Sequence, residues 1–200
     1  MPSALSSPAF PLLQALRQGT ASLHKRLEAR MPFFSAGFDL PAYRHLLMAY
    51  HGFHAPLERQ LAAHLPALDH ARRAKTPALT QDLRALGLSP GEIDALPCCQ
   101  ALPEVTDEAT ALGVMYVLEG STLGGQVLKR ALAERLGIDH DSGGAFLDVY
   151  GTETGTLWRG FLHFLECYPA SPVQQANTVR AAIDTFTCFE QWLEAREVLL

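Results

Sequence analysis

The sequence predicts a single all-α domain, and three observations lead there. Apolar residues recur at three- and four-residue steps along most of the chain, the period of one helix face. Helix-opening pairs punctuate it at Thr76-Pro77, Ser89-Pro90 and Ser171-Pro172, each a capping residue followed by the proline that suits a first helical turn. Convincing two-residue alternation is missing apart from a weak run near residues 145–150.

Residues 1–10, rich in Ser, Pro and Ala, read as a flexible lead-in, and 11–200 as one domain. Leu13, Leu16, Thr20, Leu23 and Leu27 then mark one face of a helix that must stop before Pro32. Asp39 caps a second helix carrying Tyr43, Leu46, Leu47, Tyr50 and Phe53. Pro56 falls inside it and deprives the Gly52 carbonyl of its donor. Two short helices follow between Thr76 and Pro97, the second with Ser89 and Glu92 at capping-box spacing. A long helix runs from near Thr106 to Leu136 and is stopped by Gly137. After a connection containing Gly143, Gly144, Gly151 and Gly155, one helix spans Trp158 to Cys167. A last one opens at Ser171-Pro172 with Val179, Ile183, Phe186 and Phe189 on its face.

Composition removes several function classes. With 48% hydrophobic and 18% charged residues in 200, the chain is globular, and its net charge of -5 argues against a general nucleic-acid binder. No 18-residue apolar run is present, so no membrane span is expected, and the N-terminus lacks a basic, then apolar, secretory signal. Four cysteines, with Cys98 and Cys99 adjacent, lack zinc-site spacing and read as reduced thiols of a cytoplasmic protein.

Two features need a reason beyond packing. Gly113, Gly120, Gly124 and Gly125 all lie inside the long helix, where each glycine costs about 1 kcal/mol relative to alanine. The first three share a face. Either another helix approaches that face closely, or a flat ligand lies on the bare backbone. Spacing alone favours the helix contact, whereas the adjacent pair Gly124-Gly125 favours a softened, kinked segment and the ligand. The second feature is His24, one of eight histidines. Glu28 lies one turn on and Arg17 two turns back, so a carboxylate can support the imidazole as a metal ligand and a guanidinium can meet a ligand carboxylate. The plain alternative is a surface His-Glu pair.

The stretch LRQGTASLHKRLE (Leu16 to Glu28), followed by YRHLLMAYHGFHAPLE, resembles the first two helices of haem oxygenases. YVLEGSTLGGQVLKRAL (Tyr116 to Leu132) resembles their glycine-rich distal helix. The two motifs come in the right order from about Leu13 onward, and the likeness is strongest to bacterial members, including those that serve bacteriophytochromes. The resemblance implies a helical bundle with haem between the first, proximal helix and a kinked distal helix. It implies His24 as the ligand of the haem iron, with Glu28 hydrogen-bonded to it, and Gly120, Gly124 and Gly125 as backbone across the haem. It further implies Arg17, Arg159 and His163 as propionate contacts, Phe186 and Phe189 as pocket lining, and Tyr50 and Phe53 as aromatic positions of the second helix. Ser121 stands where many members carry an aspartate that organises proton-delivering water, and Val117 and Leu118 replace an arginine and a tyrosine seen in some.

By that resemblance the reaction is oxidative opening of haem, both substrate and cofactor, to biliverdin, carbon monoxide and ferrous iron. Electrons come from an external donor (a ferredoxin, flavodoxin or reductase), and a bacteriophytochrome is a partner that could receive the product. A haem-binding or haem-transfer protein of the same fold is the alternative that Ser121 keeps open. A di-iron carboxylate bundle is set aside because no glutamate is followed three residues later by histidine. A thiamin-processing relative ranks low because Cys167 and Cys188 lack an obvious activator.

Overall fold

The computed structural model describes residues 11–65 and 68–200, so the expected lead-in at 1–10 lies outside the described residues. Eight α-helices are described: α1 (Pro11–Arg30), α2 (Leu40–Leu61), α3 (His70–Arg73), α4 (Thr76–Ala85), α5 (Pro90–Asp94), α6 (Glu108–Leu136), α7 (Thr154–Cys167) and α8 (Pro172–Ala195). No strand occurs among the described residues. The weakly alternating run near 145–150 instead holds a 3-10 turn, Phe146–Asp148.

Local chemistry sets most boundaries. Asp39 accepts from the Ala42 N–H to start α2, Ser89 and Glu92 form the expected capping box of α5, and Ser171 with Gln174 forms another at α8. Gly137 ends α6 in the left-handed conformation, φ 69°. Thr76 departs from expectation: it is the first residue of α4 rather than its cap, and its hydroxyl donates to Glu58. Glu58 also accepts from the backbone N–H groups of Lys75 and Thr76, so a side chain of α2 does the capping.

Pro56 leaves the Gly52 carbonyl without its helical donor, and the Cys99 N–H fills the vacancy at 2.9 Å. The chain can come that close only because residue 52 has no side chain, since a Cβ there would run into the Pro97 carbonyl and Trp192. The α5–α6 connection is thereby pinned to the middle of α2.

The apolar core has two lobes. One gathers Leu16, Phe53, Leu57, Leu112, Met115 and Phe161; the other gathers Tyr43, Leu47, Leu79, Leu83, Leu132 and Leu193. Phe186, Phe189 and Trp192 of α8 pack against both. Helix α8 is the common support: α6 and α1 both lie along it, while α1 and α6 make no extended contact with one another. At Gly113 the α6 and α8 backbones meet directly, with the Thr178 carbonyl and the Ala181 methyl in the space a side chain would need. After α6 the chain turns back over α4, where buried Asp82 accepts the Ala145 and Phe146 N–H groups and Tyr43 donates to the Gly143 carbonyl.

Two outcomes follow. Gly113→Ala gains at most about 1 kcal/mol of helix propensity but forces backbone apart, so a net loss on the order of 2 kcal/mol is expected in urea unfolding. Burial pushes the Asp82 carboxyl up to about 6, against the two N–H groups it accepts. With a folded value above the unfolded one, its contribution is complete below about pH 4 and is lost as pH rises through about 6, a swing of at most about 3 kcal/mol. Asp82→Asn is expected to flatten that part of a melting-temperature profile; an unchanged slope would assign it elsewhere.

Candidate active site

Helix α1 buries Leu12, Leu13, Leu16, Thr20 and Leu27, and Leu23 is half-buried, which leaves His24 on the open side. The His24 side chain is 64% exposed, with Glu28 at 3.8 Å from its Nδ1. Its ring meets the edge of Phe186 on α8, centroids 6.0 Å apart. Beside it, Arg26 and Arg30 both donate to Glu190 of α8, whose carboxyl the Arg26 hydrogen bonds hold below the usual carboxylate range. Gly19 brings the same helix against Val179 and Ile183. The histidine is therefore carried on a helix clamped to α8 both before and after it.

Helix α6 continues unbroken through all its glycines, but they do different work. Gly113 is a packing glycine against α8, and Gly125 is another, because a Cβ there would lie 2.7 Å from the Leu147 carbonyl. At Gly120 the nearest atoms would be those of Trp158 at 3.8 Å, ordinary contact, and at Gly124 nothing lies within 4 Å. The face shared by Gly113, Gly120 and Gly124 is thus covered by a helix at one end and bare at the other. The helix-contact reading holds at Gly113, while at Gly124 the face is left free of protein contact. Around the bare stretch Leu123 and Val127 are exposed, Val127 by 74%.

The Ser121 hydroxyl is also exposed and donates to the Leu118 carbonyl of its own helix at 2.8 Å. Its proton is engaged; its oxygen can still accept.

Helices α1 and α6 approach through Tyr116. Burial raises the Tyr116 hydroxyl pKa, while a hydrogen bond with Thr20 and the charge of Arg17 act against that shift. Tyr116 packs on Trp158 of α7, centroids 5.9 Å apart, and Trp158 in turn lies under Gly120. These two aromatics close one end between the helices and were not singled out as site residues from the sequence. Their signal was faint, an aromatic four residues before an expected site residue and another beside one.

The remaining expected residues divide. Phe186 joins His24, whereas Phe189 packs on Tyr50 and Phe53 at 5.2 and 4.8 Å between centroids. Phe53 is 1% exposed and belongs to the core, so it supports lining residues rather than lining anything itself. Tyr50 is likewise enclosed, between Phe189 and Phe146. Arg159 is exposed and donates to Thr156, and exposed His163 has the Cys167 sulfur 3.7 Å from its Nε2. Both contacts lie within α7 itself.

The exposed imidazole of His24 thus stands on α1 against Phe186 of α8, and α6 offers bare backbone at Gly124 with Leu123 and Val127 exposed beside it. A family model described as Heme oxygenase matches residues 10–195. A heme oxygenase of Xanthomonas campestris pv. campestris (strain 8004) is 33% identical over 161 residues, covering 78% of this chain and 92% of that protein. Among solved structures, heme oxygenase from Leptospira interrogans superposes with a TM-score of 0.76 at 18% identity, covering 92% of this chain and 98% of that one. Heme oxygenase-1 from the cyanobacterium Synechocystis sp. PCC6803, in complex with heme, gives 0.72 at 19% identity over 92% and 91%. The last two likenesses concern the fold.

Because no atom faces the missing side chain of Gly124, Gly124→Ala is expected to raise the melting temperature of the ligand-free protein, by up to about 1 kcal/mol of stability. A lower melting temperature would mean that this face packs against the protein after all.

Proposed function

The chain belongs to the haem oxygenase family, and we propose that it opens haem oxidatively to biliverdin, carbon monoxide and ferrous iron with His24 as the iron ligand. The observation that carries this reading is the backbone free of side-chain contact at Gly124, with only Trp158 at ordinary contact distance from Gly120, on the helix that carries the family's glycine motif, together with an exposed His24 supported by Glu28.

These residues fit a large flat macrocycle. A planar ring needs a wall without side-chain bulk, and Gly124 offers one with nothing within 4 Å. Its apolar surface needs apolar partners, supplied by Phe186, Leu123 and Val127. Its iron needs a neutral imidazole nitrogen, and Glu28, 3.8 Å from Nδ1, would accept the N–H of the other nitrogen through water or after a small side-chain rotation. Arg17, exposed near the α1–α6 approach, is assigned to a propionate, and Arg159 and His163 to the outer rim.

When bound, haem supplies the iron at which dioxygen is reduced and the meso carbon that is oxidised, with electrons from an external donor. The chain's own part is orientation and proton supply. His24 and Phe186 fix one face of the ring. Gly120 and Gly124 would let a bound ring approach the α6 backbone without side-chain bulk in the way. Ser121 accepts a hydrogen bond from water through its free lone pairs, and that water takes the place of an aspartate-held network. Tyr116 and Trp158 close one end and limit solvent. A ferredoxin, flavodoxin or reductase is assigned as donor, and a bacteriophytochrome as one receiver of the product.

No helix is long and apolar enough to cross a membrane among the described residues.

Mixing the protein with one equivalent of hemin and adding a reductant in air is expected to erase the Soret band and raise a broad red verdin band. His24→Ala is expected to abolish that change while weak haem association persists. A stable oxy-haem spectrum from the wild type would instead favour the haem-binding reading, which the engaged Ser121 proton makes concrete. Turnover by His24→Ala near the wild-type rate would sink the ligand assignment.

A further inference from the structure

Directly before Gly120 stands Glu119, a carboxylate with no exposed surface. Its partners form a cluster that the proposed reaction does not use. Arg73 and Lys75, themselves 9% and 1% exposed, both donate to it. The Tyr150 hydroxyl donates to Glu119 Oε1 at 2.6 Å and accepts from Lys75 Nζ at 2.8 Å. Lys75 also donates to the Arg73 carbonyl, and Arg73 reaches the Leu157 carbonyl at the base of α7. Glu58 of α2 accepts the Lys75 and Thr76 N–H groups, completing two cations and two carboxylates.

Such a cluster is costly to remove from water, and buried ion pairs are weak contributors to stability; their best-attested use is to specify one arrangement over its neighbours. Here the arrangement concerns α6. Successive residues of a helix are about 100° apart, so fixing Glu119 at the rear fixes where Gly120 and Gly124 point. A roll of the helix by about 20° would shift their backbone by about 0.8 Å on its radius of about 2.3 Å. A ring held against bare backbone has no side chain to absorb such a shift, and displacements near 1 Å in a reacting geometry cost up to about a hundredfold in rate. The hydroxyls of Ser121 and Thr122 bond back to the carbonyls of Leu118 and Glu119, arrangements that bend helices, so this segment needs an external hold.

We propose that Glu119 is a positioning residue: through Arg73, Lys75 and Tyr150 it sets the rotation of the distal helix over the ring, and with it the edge at which the ring opens. This rests on the haem oxygenase reading above.

The test uses the full chain loaded with hemin. Glu119→Gln removes the charge with little change of shape, and Tyr150→Phe removes one hydroxyl should the first variant not fold. Both are compared with wild type at a temperature where circular dichroism shows the protein folded. Three quantities are read: the turnover rate, the isomer composition of the biliverdin, and the pH midpoint of the ferric acid–alkaline transition. The expected result is at least a tenfold loss of rate, a mixture of isomers where wild type favours one, and a displaced midpoint, with hemin still bound. Wild-type isomer composition and midpoint in a folded variant would overturn the proposal, even if its rate fell, because a purely structural role moves neither. If wild type gives no verdin, it is the underlying enzymatic reading that fails.

Discussion

The fold hangs on a place where two helices touch without a side chain between them. At Gly113 the α6 backbone rests on the Thr178 carbonyl of α8, and this sets how deeply the longest helix is seated. Eleven residues later the same helical face is open at Gly124, where nothing lies within 4 Å. Helix α1 leans on the same stretch of α8, through Gly19 against Val179 and Ile183, so α1 and α6 share a neighbour and make no extended contact with one another.

Charge ties each of these two helices to the rest of the fold. Arg26 and Arg30 grip Glu190 close to His24, and Glu119, directly before Gly120, is held by Arg73 and Lys75. Phe186, Leu123 and Val127 would all gain by leaving water, whereas shifting either helix would strip the buried carboxylates Glu190 and Glu119 of their partners.

Much of this was legible in the sequence because it is local. Helix periods, the caps at Asp39, Ser89 and Ser171, and the stop at Gly137 depend on neighbours within a few residues. His24 with Glu28 was legible for the same reason, one helical turn being a fixed distance. Pro56 even identified the carbonyl that would need a donor, although not that Cys99 would provide it. The glycine stripe posed a question that spacing could not answer, since whether a face is covered or bare depends on where a distant helix goes. Thr76 shows the limit from another side: it looked like a cap, but Glu58, 18 residues earlier in the chain, took that task. Phe53, which matches an aromatic position of the family's second helix, lies in the core, and an aromatic on an amphipathic helix looks alike whether it meets a ligand or the interior. Glu119 gave no local sign at all, because its partners come from α3, the start of α4 and the turns before α7.

A wall made of backbone also has an unusual relation to mutation. Where side chains line a pocket, substitutions can enlarge or shrink it, and drift in sequence explores both directions. At Gly120 and Gly124 there is nothing left to remove, so every heritable change adds atoms and narrows the space. The chain can retune that surface without crowding it only indirectly, through neighbours such as Ser121, Leu123 and Trp158.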